Sequence, residues 1–464
     1  MYTQSSLLYH CLELLNAVQA ANNIRYPYWT LLVLIKWAYL HTNDSILRKK
    51  ATNDDVEYLF SLIDQFESEH HRLKFENPTL VLQSIKILAF QQFENQDKFH
   101  ISIIQRQLVL YNTIKTGYKI DTVFQNKTGL NIITFFQYAY FAFLCVTLGN
   151  QKHYRGVLTN DFHQIFIDKF GRQELSTFLE LLSIRKKEDF ETLHKLTNER
   201  LQLFETGFFV TKPFLLFRGE YKLPHMSSLT QCIKHFVYSY LKANDKDFTT
   251  DFGKRLEKYV ELGLKENNLR FCNESDLQKK YPNSKIVDFT IEDDIIMECK
   301  AIELHPRSGI LRDNETLTKE FKSSVIKAYT QMLTTAHLID ANQQWYGIII
   351  TYKQTFIGFG TSAWDEFLSV PATEYAQIHN LNLDILSSDR LLFVTLEFWD
   401  YVMQVIKNGH GTIKSILSKA FESNTCSNPA NRCMLVEQFL MRDYKIGTFT
   451  LSYLTDTAEL CSAL

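Results

Sequence analysis

Between Lys285 and Ile302 the chain reads KIVDFTIEDDIIMECKAI, and this stretch narrows the local fold more than any other. Apolar and polar residues alternate on both sides of Glu292-Asp293-Asp294, the period-two pattern of two half-buried strands joined by an acidic turn. Pairing Ile291 with Ile295 across that turn sets Phe289 against Met297, Val287 against Cys299 and Asp288 against Glu298. Side chains alternate faces along a strand, so Lys300 lies on the face of Glu298. Two carboxylates and one lysine then converge on one face of a hairpin whose other face is apolar.

Carboxylates a few ångström apart repel, and each raises the pKa of the other. A hard divalent cation such as Mg²⁺ relieves that repulsion and prefers oxygen ligands. A lysine beside it can orient water or stabilise charge developing on a phosphate. Cross-strand salt bridging on an exposed sheet face accounts for the same three residues, so the hairpin alone leaves both readings open.

Gly (16) and Pro (8) are few for 464 residues, which favours long helices over turn-rich β structure. The length suits two or three domains. Residues 1–245 read as all-helical, with apolar residues at helical spacing in 7–15, 28–40, 54–66, 80–93, 131–148, 162–170, 174–182 and 189–204. The segment 131–148 is the most hydrophobic; its Asn131, Thr134, Gln137 and Thr147, and the lack of a flanking basic cluster, make it a buried central helix rather than a membrane span. Residues 208–224 read as an extended segment or short hairpin, and 228–243 as a helix capped by Ser227 or Ser228. The polar run 244–250 marks a boundary between a helical domain, 1–245, and a second domain, 246–464.

In the second domain, 251–267 is an amphipathic helix with Leu256, Tyr259, Val260, Gly263 and Leu264 on its apolar face and Glu257 at the edge. A short strand at 269–273 precedes a polar stretch, 274–284, that ends in a turn. The hairpin follows, then a basic loop at 307–313, a long helix at 318–340, a buried strand at 345–352, a further strand at 355–360 and a strand at 390–396. Helices at 397–407, 412–421 and 428–441 close the chain. The order of helix, three strands, helix, strand predicts a mixed sheet with helices packed against it, hence an α+β fold.

A net charge of -2 announces no global basic field, so contact with phosphate backbones needs a local basic patch. The eight cysteines form no CxxC pair and no zinc spacing, as expected of reduced thiols in a cytoplasmic protein. The opening MYTQSSLLYHCLELL lacks the pattern of a signal peptide. Neither a phosphate-binding GxxxxGK loop nor a GxSxG elbow occurs.

Residues 251 to about 365 resemble the PD-(D/E)XK nuclease superfamily, whose core is a helix, a three-strand meander, a helix and a further strand. The matching residues are Asp288 on the second strand, Glu298-Cys299-Lys300 on the third and Glu257 in the preceding helix, within RLEKYV. Val287 stands where many members have proline. The helix after the third strand offers Gln331 and Tyr329, in IKAYTQML, although their spacing departs from the best-known helix motif. The resemblance implies a Mg²⁺-dependent endonuclease, Mn²⁺ serving as well. Asp288, Glu298, Glu257 and the main-chain carbonyl of Cys299 would hold the metal, Lys300 would position the attacking water, and Gln331 would assist. His305, Arg307 and Arg312 are candidate phosphate contacts or a solvated loop.

The implied substrate is nucleic acid, DNA first, and the implied setting a prokaryotic anti-phage or restriction-type effector. The aromatic-rich helical half suits protein contacts or self-association. Two rival readings stand beside this one: a catalytically silent nuclease fold serving as a scaffold, and a helical sensor whose sheet is structural.

Overall fold

The computed structural model describes residues 2–21, 27–70, 84–90, 98–148, 164, 167–169, 171–193, 208–282, 284–428 and 431–457. The fold is mixed α+β and divides into two units, one of residues 1–107 and 119–246, the other of 108–118 and 247–459.

The first unit is built on helices whose apolar periodicity sets what they bury. Gln4–Ala21 buries Leu7, Leu8, Cys11 and Leu15, while Tyr28–His41 is buried nearly all round, Lys36 included. Ile132–Leu148, started by Asn131 capping Thr134, forms the helix expected at 131–148, buried along one face at Phe135, Phe136, Tyr138, Ala139 and Ala142. Its Phe135 stacks on Phe236 at 4.9 Å and its Tyr138 on Phe178 at 5.0 Å, so its aromatic face is spent on the helices Met226–Asn244 and Arg172–Leu182. Among the described residues no single helix is long and apolar enough to cross a membrane; one pair, Ile120–Thr128 with Ile132–Cys145, passes jointly but is bent by 65°. The helices expected at 80–93, 162–170 and 189–204 lie partly or largely outside the described residues.

This unit is not all-helical. Ser183–Ile184 (β1) runs parallel to Phe214–Phe217 (β2), which pairs antiparallel with Glu220–Lys222 (β3). The hairpin was legible in 208–224, and its turn has positive φ at both Arg218 and Gly219, as a two-residue hairpin loop requires. A two-residue strand such as β1 carries no periodicity, which is why it escaped the sequence reading. The cap of Met226–Asn244 is His225 rather than Ser227 or Ser228: its Nδ1 accepts from the Ser227 N–H at 3.2 Å, and its ring stacks on Tyr28 at 3.7 Å. Burial lowers the His225 pKa to about 3, so the ring remains the neutral acceptor that capping needs.

The second unit holds a five-stranded sheet in the order β4-β5-β6-β7-β8. Phe271–Asn273 (β4), Phe289–Ile291 (β5) and Ile295–Lys300 (β6) form an antiparallel meander. Tyr346–Thr351 (β7) and Leu391–Thr395 (β8) continue it in parallel. The parallel strands are buried, so they read as near-continuous apolar runs. The crossover from β6 to β7 runs through the helices Pro306–Leu311 and Asn314–Phe321, a π-helical turn at Lys322–Ile326 and the helix Lys327–Ile339.

Several local expectations for this unit fail. The polar stretch after β4 forms the helix Glu274–Lys280, with Asn273 capping Asp276. The basic loop is the helix Pro306–Leu311, started by His305 and by proline at its first turn. No strand forms at 355–360, because Phe356 and Gly358 adopt positive φ and leave a single bridge, Phe359 to Leu392. The helix expected at 428–441 covers only Val436–Asp443, and the helical segments from Gly360 to His379 and at Ser452–Thr455 were not foreseen.

The helix Phe248–Glu266 carries Glu257 and is fixed on either side of it. Two residues before, Arg255 is buried and bonds Asp251 Oδ2 (2.5 Å), the carbonyls of Leu110 (3.1 Å), Ile114 (2.6 Å) and Tyr118 (3.0 Å), and Thr116 Oγ1 (2.7 Å). Two residues after, the Tyr259 hydroxyl donates to buried Asp400 at 2.9 Å. Arg255 thus ties Leu108–Tyr118 to this unit, far from its place in the sequence.

Candidate active site

The hairpin has the anticipated register: Ile291 faces Ile295 and Phe289 faces Met297. One step outward the regular ladder stops at Asp288, and side chains take over its hydrogen bonds. The Asp288 N–H donates to Glu298 Oε2 at 3.2 Å, and the Cys299 N–H donates to Asp288 Oδ2 at 2.6 Å. Lys300 ion-pairs with Glu298 Oε1. Glu298 is 1% exposed and Asp288 9%, so the pair sits beneath the surface and does not resemble a solvated cross-strand salt bridge. The first helix brings Glu257 to the same place: one carboxylate oxygen each of Glu257, Glu274 and Asp288 lie within 4.8 Å of one another.

The chain matches no family model, no curated protein and no solved structure. The site must therefore be read from its own residues.

Glu274 was missed in the sequence. Its signal was the register of the strand before the hairpin: Asn273 faces Phe289, so the next position outward sets Glu274 beside Asp288, as Glu298 stands on its other side. Asp288, just before β5, thus stands between Glu274, the first residue of the helix after β4, and Glu298 on β6. The sequence reading ended that strand at Asn273 without pairing it.

The remaining candidates separate. Gln331 donates from Nε2 to the Ile286 carbonyl at 3.3 Å, two residues before Asp288, and its Oε1 is buried without a donor. Tyr329 is buried and bonds the Leu386 carbonyl at 2.8 Å, a packing role that removes it from the site. Arg312 is buried against Glu366 at 2.7 Å, so it is no phosphate contact. His305 is committed to capping its helix, with Nδ1 accepting from the Arg307 N–H at 3.2 Å, while Arg307 is exposed. Cys299 contributes its main-chain N–H, and its buried thiol is pushed to a high pKa by desolvation.

Burial is the main force on the site's charges. It raises the carboxyl pKa of Glu298, with Asp288 adding to it, and raises that of Asp288 against the opposing pull of the Cys299 N–H and Lys300. It pushes Glu257 up to about 7, helped by Asp288 and Glu274. Burial opposes the charge of Lys300, but Glu298 outweighs it and the net shift is upward. Unfolded, these carboxyls titrate near pH 4. Between there and their folded values the native state binds protons that the unfolded chain has released, so stability falls as the pH rises through about 4.5 to 7. In chelator, the protein is expected to unfold at a higher temperature near pH 5 than near pH 8, and Glu257→Gln is expected to narrow that difference. Thermal melts across pH check this; equal pH dependence in the two proteins would contradict it.

Proposed function

We propose that the second unit is a Mg²⁺-dependent phosphodiesterase of the PD-(D/E)XK nuclease type, acting on DNA. The observation that carries the reading is the contact of Asp288, Glu298 and Lys300 across β5 and β6, with Glu257 arriving from the helix before the meander. The mixed sheet supports it: an antiparallel meander, a helical crossover and a parallel strand, in that order.

The donor set suits a hard divalent cation, since its ligating atoms are all oxygens and the carboxylates of Glu257 and Glu274 have no hydrogen-bonding or ion-pair partner among the described residues. Asp288, Glu298 and Glu257 would hold it, with the Cys299 carbonyl as a further ligand. Such a cation, when bound, polarises a phosphoryl oxygen and acidifies water. The chain's own part is positioning and charge. Lys300, protonated and held by Glu298, presents its ammonium beside the carboxylates, where it can orient water and stabilise a developing phosphorane charge. Asp288 is fixed by the Cys299 N–H, so its second oxygen keeps its direction. Gln331, anchored to Ile286, borders the site and positions the strand leading into Asp288.

On this reading the chain is an effector of a prokaryotic anti-phage or restriction-type system, and the first unit contacts a protein partner or a second copy. The test is cleavage of supercoiled plasmid, linear duplex and single-stranded DNA with and without Mg²⁺. Cleavage is expected only with the cation and is expected to fall by about 100-fold or more in Asp288→Ala. Cation binding without cleavage of any substrate would favour the scaffold reading. No cation binding would favour a structural sheet.

A further inference from the structure

A phosphodiester backbone carries a negative charge at every nucleotide, so a protein that acts on it needs cations beyond those that serve the chemistry. Of the candidates at 305–312, Arg312 is buried against Glu366 and His305 caps its helix, which leaves Arg307 exposed. A second group of cations borders the site. The helix Phe248–Glu266 exposes Lys254 and Lys258, one turn apart, before and after Glu257. Lys115 is exposed on the segment Leu108–Tyr118, which Arg255 ties to this helix.

These three lysines meet without neutralising one another's surroundings. The Lys258 ammonium donates to the Lys115 carbonyl at 2.8 Å, and the Lys115 ammonium donates to the Asn112 carbonyl. Both acceptors are main-chain groups, and among the described residues none of the three ammonium groups is paired with a carboxylate. The contrast lies on the same helix: about two turns beyond Lys258, Lys265 pairs with Glu261 at 2.9 Å. Lysines at i and i+4 repel across a helix surface and weaken the helix. Lys254 makes no hydrogen bond or ion pair among the described residues that offsets the repulsion. It does lie near enough to Glu257 to pull that carboxyl down against the effect of burial. The surface beside the lysines is open: a Cβ at Gly253, next to Lys254, or at Gly117, beyond Lys115, would meet nothing within 4 Å.

We infer that Lys115, Lys258 and Lys254 form a strip that binds the phosphate backbone of the DNA strand and leads it past Glu257 to Asp288, Glu298 and Lys300. The strip serves the nuclease reading proposed above and rests on it. It places substrate entry on the side of the helix Phe248–Glu266, and it accounts for the hold of Arg255 on Leu108–Tyr118, which sets Lys115 beside that helix. Ammonium groups are point charges without the planar fork of arginine, so such a strip reads backbone and not base sequence.

Binding is measured apart from cleavage, with the full chain in chelator, by fluorescence anisotropy of labelled DNA oligonucleotides, single-stranded and duplex, over a salt series. For duplex, the triple variant Lys115→Met, Lys254→Met, Lys258→Met is expected to bind about 100-fold more weakly at low salt, and its slope of log affinity against log salt is expected to flatten by about 2–3. Oligonucleotides of unrelated sequence should lose affinity by the same factor. Lys254→Arg with Lys258→Arg keeps both charges and is expected to bind as the parent does. Lys445→Met, which removes an exposed lysine after the helix Val436–Asp443, is expected to bind as the parent does too. Parent-like affinity and slope in the triple variant, or an equal loss in Lys445→Met, would overturn the strip; Mg²⁺-dependent cleavage by the parent beside that result would leave the nuclease reading standing. Strip-dependent binding in a parent that cleaves no DNA with Mg²⁺ would overturn the nuclease reading and leave the strip. A parent that binds neither oligonucleotide at low salt would overturn the strip outright.

Discussion

Replacing Arg255 by alanine is expected to destabilise the second unit by about 3–5 kcal/mol. The guanidinium is 1% exposed and reaches Asp251, three main-chain carbonyls and Thr116. Its loss leaves Asp251, 7% exposed, as a buried carboxylate without its ion-pair partner. It also removes the donor from Ile114 O and Leu110 O at the end of the π-helical turn Val109–Thr113, where helix carbonyls lack partners of their own. Breaking a buried pair costs far more than the pair contributes net, since the remaining charge keeps its full desolvation penalty. Denaturant titration measures the loss, and hydrogen exchange should show faster exchange across Leu108–Tyr118 than in the parent. Lysine should not rescue it, because a single ammonium cannot span five acceptors held at different angles. An unchanged unfolding midpoint in Arg255→Ala would show that this segment is held by packing alone.

Lys300→Met is expected to lower the proposed cleavage rate by about 10²–10³-fold while leaving Mn²⁺ binding largely intact. The substitution keeps most of the apolar stem of the side chain and removes its ammonium. It also strands Glu298, 1% exposed, without its cation. Burial already raises the Glu298 pKa, and removing Lys300 raises it further. The sign follows from linkage. At acidic pH Glu298 is neutral in either protein and the two should unfold alike; at alkaline pH the variant must either keep a proton on Glu298 or bury its charge unpaired, so it should be less stable than the parent. Cleavage lost at every pH, with a stability difference confined to the alkaline side, separates a chemical role from a folding role. Undiminished cleavage in Lys300→Met would remove the lysine from the reaction.

The site was legible in the sequence where its geometry is local. Alternation through 285–302 sets which residues face one another in a hairpin, because a one-residue slip would turn every apolar side chain outward. Ile291 with Ile295 and Phe289 with Met297 follow from that constraint alone, and they bring Asp288, Glu298 and Lys300 together. The amphipathic helix carrying Glu257 and the apolar strand β7 were likewise visible as periodicity.

What the sequence left open depends on contacts between distant segments. Glu274 starts the helix after β4 and comes near Asp288 because β4 pairs with β5, and a three-residue strand has too little pattern to declare its partner. Tyr329, Arg312 and His305 carry the chemistry of a site, yet the fold spends them on a carbonyl of Leu386, on Glu366 and on a helix cap. Arg255 had no visible role until Leu108–Tyr118 was seen beside it. Short-range periodicity thus determined the hairpin and the helix that carry the carboxylates. The tertiary structure decided which polar side chains are satisfied by protein partners and which remain without one. That division rests on burial and on hydrogen-bond geometry, much of it between segments distant in sequence, such as Arg255 and Ile114, and periodicity does not encode it.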